Sequence, residues 1–378
     1  MRLSRQEILR RQNQVKEILQ KNGADALVVE GSCAIDQRGW MRYLMDYYVP
    51  VFSEYLIIPK DGPVTFFAKN PTNGKGVEEK GLADQILLIP GSDGISPGKC
   101  VADVLKTRNV TKVAYCGTMT APFAHTMKAE LESVEFLNLT WEIECLRSRK
   151  SEEELILCRE AIKLNEDIFQ EFLKGVRSGN REMDAVANAA GYAVKIRCED
   201  QFWLVGSGDV PRTRSLPLAE EQNHTWKEGD LCSVVIEIAG PGGYYGEVTH
   251  LLSVGKASDD VRTAYAVLHR ARRAAEAQLR PGQPISAAAQ TVSEKLMEAG
   301  YWKEPFTGIM GHGQGLDMSE APMVSVGNSM ILEAGMRINL HPTLVLESGI
   351  GVTACDCYEI TADGCVRLTQ LPDDLIEL

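Results

Sequence analysis

The chain has 378 residues, 44% of them apolar and 24% charged, a length suited to two domains rather than one core. Its 40 Lys and Arg against 52 Asp and Glu give a formal net charge of -12, which argues against nucleic acid as a partner. No apolar run approaches the roughly 20 residues that cross a bilayer, so no membrane partner is expected.

The densest basic stretch, Arg262 to Arg273, is broken by apolar residues at helical spacing and reads as a solvated helix face. The first residues, Met-Arg-Leu-Ser-Arg-Gln-Glu, lack the apolar stretch of a secretory leader. Ten scattered cysteines in such a chain are expected to be reduced thiols in a cytoplasmic protein.

In chain order, Ser4 and Glu7 form an S-x-x-E box ahead of a helix whose apolar stripe is Ile8, Val15, Ile18 and Leu19, with Gly23 as its stop. Ala26–Val29 reads as a buried strand. Strand-like runs recur at Tyr55–Ile58, Val64–Phe67, Gln85–Ile89 and Val113–Tyr115, which suggests an α/β domain on a mostly parallel sheet. The texture changes near residue 148. Ser151 and Glu154 form a second capping box before a long amphipathic helix with Leu155, Cys158, Ile162 and Phe172 inward, and the domain boundary is placed there. A helix follows near Arg181–Lys195, then strands around Leu231–Ile238 and Tyr244–Val254, helices over Val261–Leu279 and Ser286–Glu298, and glycine-rich strands to Leu378. Helices followed by antiparallel strands, twice over, describe an α+β domain with internal duplication.

Four segments of this second domain carry candidate chemistry. Gly229–His250 holds Glu237 and Glu247 among β-branched residues, where a carboxylate must be paired, metal-bound or shifted in pKa, or else face solvent. Gly311–Pro322 places His312 between glycines that permit close approach of backbone or ligand, with Ser319 and Glu320 downstream. It lacks the Lys of a phosphate loop. Met336–Pro342 ends on His341, and Ala354–Gly364 contains Cys355 and Cys357, which share a strand face and read as packing residues or a thiol site.

Together these segments resemble the pita-bread superfamily of methionine aminopeptidase, Xaa-Pro aminopeptidase, prolidase and creatinase. Gly-His312-Gly-x-Gly-Leu followed by Glu320-x-Pro322 carries the resemblance most specifically, with Leu146–Ser151 resembling the entry to that domain and Arg42-Tyr43-Leu44 a turn of the creatinase-like N-terminal domain. The resemblance implies residues 1–147 as an α/β creatinase/prolidase-like N-terminal domain and 148–378 as the α+β pita-bread domain of catalytic type.

The resemblance also implies a substituted site. The family's two metals are held by two Asp, one His and two Glu. The corresponding places here are Val235, Glu247, His312, His341 and Cys355. Val235 cannot ligate, so a dinuclear site is not expected. Glu247, His312, His341 and Cys355 suit one divalent transition metal, Zn²⁺ or Fe²⁺. A metal-free acid/base site using His312 and His341 is the rival, with Cys355 as a thiolate nucleophile a third reading. Glu320, Glu237 and His312 are the candidate catalytic groups, and Phe202, Trp203, Arg212 and Ser319 the candidate substrate contacts.

The implied function is a creatinase-like hydrolase cleaving a C–N bond of a small nitrogen-containing molecule. The alternatives are an Xaa-Pro peptidase-type metallohydrolase and an inactive binding scaffold. A homodimer is expected, with the Arg38–Tyr48 stretch as a lid over the partner's site or, more plainly, as a packed edge of its own domain.

Overall fold

The computed structural model describes residues 3–90, 96–215 and 223–378. The chain forms two compact units that divide between Arg147 and Ser148.

In the first unit the opening helix, Arg5–Asn22, starts where the Ser4 side chain accepts the Glu7 N–H and stops at Gly23, whose φ of 63° is left-handed. The Glu7 carboxylate is drawn to Arg10 and Arg11, at 2.7 and 2.8 Å. Strands β1 (Ala26–Gly31), β2 (Glu54–Pro59), β3 (Thr65–Ala68), β4 (Gln85–Leu88), β5 (Lys112–Tyr115) and β6 (Glu135–Asn138) form one sheet in the order β4-β3-β2-β1-β5-β6. Three of the five pairings are parallel, as expected of a mostly parallel sheet, while β1–β2 and β2–β3 are antiparallel. The tight turn at Gly62 (φ 103°) between β2 and β3 is too short for a parallel crossover.

The second unit begins with the helix Glu152–Leu173, capped by the reciprocal Ser151–Glu154 box, and continues through the helix Glu182–Lys195. Both lie on one face of a sheet of β7 (Asp200–Gly208), β8 (Arg214–Ser215), β9 (Leu231–Ala239) and β10 (Tyr245–Ser253). Phe169, Phe172, Ala185 and Ala189 pack there with Trp203, Val234, Ile236 and Val248. Because strand side chains alternate, the other face of the same strands carries Leu204, Val235, Glu237, Glu247 and Thr249, as the pairs Leu204↔Val235↔Thr249 and Phe202↔Glu237↔Glu247 require.

A second sheet combines β11 (Gly311–Gly313), β12 (Glu320–Met323), β13 (Arg337–Leu340), β16 (Asp356–Ile360) and β17 (Cys365–Arg367). The helices Asp259–Ala275 and Ser286–Glu298 cover it through Leu268, Ala271, Val292, Leu296, Ile338 and Tyr358. The hairpin of β14 (Thr343–Val345) and β15 (Gly351–Thr353) follows β13, and β18 (Ile376–Glu377) adds to β10. Within the basic stretch Arg262–Arg273, Arg272 is buried and pairs with Asp356 at 3.1 Å, so that face is not wholly solvated. Among the described residues, no helix is long and apolar enough to cross a membrane.

Candidate metal centre and pocket

Glu247 on β10, His312 on β11 and His341 just after β13 bring one ligand atom each within 4.8 Å of one another. The two sheets meet here through their inner faces. His312 pairs with Asn339 on β13, and Asn339 reaches across to the Glu247 carboxylate.

Each member is held in a ligand-ready state. Asn339 Nδ2 donates to Glu247 Oε2 at 2.7 Å and Thr249 Oγ1 donates to Oε1 at 2.7 Å. Burial pushes the Glu247 carboxyl up, but the positive charge of His341 and His312 and these two hydrogen bonds outweigh it and hold the pKa below the ordinary value. His312 Nδ1 lies 2.9 Å from the Gly313 carbonyl, which can only accept. That nitrogen therefore donates, which leaves Nε2, 3.8 Å from Glu247, as the atom turned to the carboxylate. Burial depresses the His341 pKa, against the pull of the Glu247 charge, which raises it. Its Nε2 is buried with no hydrogen-bond partner and sits 4.0 Å from Glu247.

One carboxylate and two imidazoles make a recognised donor set for a transition metal with a position left for water or substrate. The orphaned His341 Nε2 is the observation that tests the fit, since a buried acceptor without a donor is costly unless something binds it. The residues fit a bound ion. Val235, on the same face, is aliphatic and supplies no ligand atom.

Cys355 does not join this group. Its backbone N–H bonds to Thr249 O, and its side chain packs with Ile162 and Cys357. Burial, a hydrogen bond with Cys357 and the Glu247 charge push its thiol well up, which disfavours the thiolate needed of a ligand or a nucleophile.

The trio opens into a cavity of about 530 Å³ lined from both sheets and from the β14–β15 hairpin. Glu237 and Arg212 lie on its wall. Glu237 is 8% exposed and accepts from Gln314 Nε2 at 3.1 Å, while Gln314 Oε1 faces the buried Arg337 at 3.5 Å.

The other expected contacts lie elsewhere. Glu320 is buried, paired with Lys150 at 2.9 Å and capped by the Asp317 N–H at 3.1 Å, so its charge is spent in the interior and it is not a base at the pocket. Ser319 is exposed and turns to Met323. Trp203 belongs to the helix-covered face of β7, with Nε1 on Gln201. Phe202 has the right parity but packs on Tyr245, Ala239 and Met318. The glycines around His312 serve strand contact more than ligand approach. A Cβ on Gly313 would come 2.2 Å from Ala321 O, and one on Gly315 would come 2.5 Å from Glu320 Oε2.

Ser233, Thr249, Asn339 and the Thr343–Thr353 pair were not singled out by the sequence. The signal available was parity, since Ser233, Val235 and Glu237 alternate along one strand as Thr249 and Glu247 do along its partner.

Two helix-backed sheets enclosing a carboxylate and two imidazoles, preceded in the chain by an α/β unit, define the pita-bread class of enzyme. Residues 157–362, more than half of the sequence, match the family model of Metallopeptidase family M24, and the chain belongs to that family. Membership places it among hydrolases of peptide-type C–N bonds. It is 28% identical over 281 residues to the uncharacterized peptidase YqhT of Bacillus subtilis, covering 73% of this chain and 78% of that one. It is 25% identical over 280 residues to the Xaa-Pro dipeptidase of Pyrococcus furiosus, with the same coverage of 73% and 78%. Dipeptidase PepE from Mycobacterium ulcerans shares the fold at a TM-score of 0.83 and 24% identity, over 100% of this chain and 99% of that one. Prolidase from Thermococcus sibiricus does so at 0.84 and 23%, over 98% and 99%.

Proposed function

We propose that this protein hydrolyses a C–N bond of a small nitrogen-containing substrate, of amide, amidine or peptide-like kind, with one divalent transition metal, Zn²⁺ or Fe²⁺, held by Glu247, His312 and His341. The observation that carries the reading is the unpartnered Nε2 of His341, converging with His312 and Glu247 within 4.8 Å. When bound, such an ion polarises a carbonyl and makes water acidic near neutral pH. Thr249 and Asn339 fix the Glu247 carboxylate, and the Gly313 carbonyl fixes the His312 tautomer. Glu237, on the pocket wall and outside the trio, takes the proton of the attacking water and passes it to the leaving nitrogen.

A creatinase-like choice of substrate, rather than ordinary dinuclear peptidase action, is supported by Val235 and by the trio's composition. A panel of N-methylated amino acids, ureido acids, guanidino acids and Xaa-Pro dipeptides tests this. Turnover of a non-peptide member is expected. Cleavage of the Xaa-Pro dipeptides alone, rising with a second equivalent of Mn²⁺, would overturn it, and no turnover at all beside a tight peptide complex would leave a scaffold. A cytoplasmic setting is supported by ten free thiols. A homodimer is supported by the exposed Tyr48, Val51 and Phe52, and sedimentation as a monomer at micromolar concentration would remove it.

A further inference from the structure

We infer that the substrate carries a carboxylate that docks on Arg212 at the mouth of the pocket, beside a polar rather than ring-bearing group next to the scissile bond. The inference rests on the hydrolase reading for the cleavage but not for the anion subsite itself.

Among the described residues, Arg212 is the one Arg or Lys lining the cavity, and it makes no ion pair or side-chain hydrogen bond. Its neighbour Arg214, by contrast, is drawn to the buried Glu182 at 3.5 Å. The Arg212 backbone is fixed. It lies in the β7–β8 hairpin, and its carbonyl approaches Gly206 so closely that a Cβ there would come within 2.0 Å. Across the mouth, the β14–β15 turn at Gly349 (φ 85°) approaches Val210, with a Cβ on that glycine 3.8 Å from Val210 Cγ1. An exposed guanidinium at a fixed place on the rim of a cavity, in a chain of net charge -12, is a local attractor for an anion that the rest of the surface repels. Its planar fork matches a carboxylate through two N–H bonds.

The cavity wall sets hydroxyls beside the aliphatic Leu204, Pro211, Val235 and Val345. Thr343 and Thr353 are cross-strand partners on the hairpin face that lines the cavity, while Leu344 and Val352 between them are fully buried in the core. Ser233 and Thr249 add hydroxyls from the facing sheet. No Phe, Tyr or Trp lines the cavity among the described residues, so an apolar ring finds no flat surface to stack on.

The test pairs binding with turnover. Calorimetry of N-acetylserine against N-acetylserinamide, with a chelator present to suppress hydrolysis, reads the subsite by binding alone. The acid is expected to bind at least about 10-fold tighter, with the ratio falling to about 1 in Arg212→Gln and partly kept in Arg212→Lys. The Arg212→Gln comparison separates this subsite from a carboxylate sitting on the metal. Equal binding of acid and amide, or a ratio that survives Arg212→Gln, overturns the proposal. Turnover of Ala-Ser, Ala-Ser-amide and Ala-Pro forms the second arm, with Ala-Ser expected to give the highest kcat/KM, and a preference for Ala-Pro overturning the polar wall. Arg212-dependent acid binding with no cleavage of any amide would uphold the subsite and sink the hydrolase reading. Cleavage with no preference for the acid would do the reverse.

Discussion

Behind the pocket, Glu320 meets Lys150 at 2.9 Å, and the His250 ring is closed at both nitrogens, with Nδ1 donating to Leu251 O at 2.7 Å and Tyr265 Oη 3.0 Å from Nε2. Inside the pocket the same residue types are left open. Glu247 has only neutral donors at hydrogen-bond distance, and His341 Nε2 has none. Glu247 and His250 stand three residues apart on one strand, so strand parity alone sends one to the cavity and the other to the covered face between Phe169 and Tyr265. A buried acid closed by a cation stabilises the fold. A buried acid faced by two imidazoles is waiting for a cation of another kind.

Breaking the closed region should show as lost stability with the metal site intact. Glu320→Gln leaves the Lys150 ammonium buried without its partner, and denaturant unfolding should register a loss of about 3–5 kcal/mol, while metal content stays at the wild-type level. A protein that loses its metal but not its stability would return Glu320 to the active site.

His250 gives a smaller effect with a definite pH sign. Burial depresses its pKa from 6.5 to about 4 in the folded protein. The unfolded chain binds the proton first, so stability is full above the ordinary histidine pKa and falls as pH drops towards 4. The loss reaches roughly 3 kcal/mol. In His250→Gln that acid limb should flatten, and an unaltered pH profile would show that His250 is not the group responsible.

Asn339→Leu sharpens the comparison from the open side. It removes the donor that orients Glu247 without touching a ligand, and the expected loss is about 10–100-fold in metal affinity, read by competition with a chelator. Affinity equal to wild type would mean that the carboxylate orients itself.

The fold was legible because its signals are local. The Ser151–Glu154 box, Gly23 and the apolar alternation of β9 and β10 announce their elements from a few adjacent residues. The two antiparallel pairings of the first sheet were not, because pairing direction depends on which strands meet, and β2 and β3 read alike in either direction. Within the site, Glu247, His312 and His341 could be read from the motif resemblance. Glu320 could not be excluded, since its partner Lys150 is 170 residues away in sequence. Cys355 failed for a subtler reason: matching a ligand position in the chain does not bring a thiol to the ion when it packs against Ile162 and Cys357 instead.

The most direct measurement is the metal content of protein purified without a histidine tag, taken for the wild type, His341→Ala and Cys355→Ser. The account predicts about one Zn or Fe per chain, lost in His341→Ala and kept in Cys355→Ser, with hydrolysis following the metal. Two ions per chain, or a wild-type enzyme that turns over at full rate with none, would contradict it.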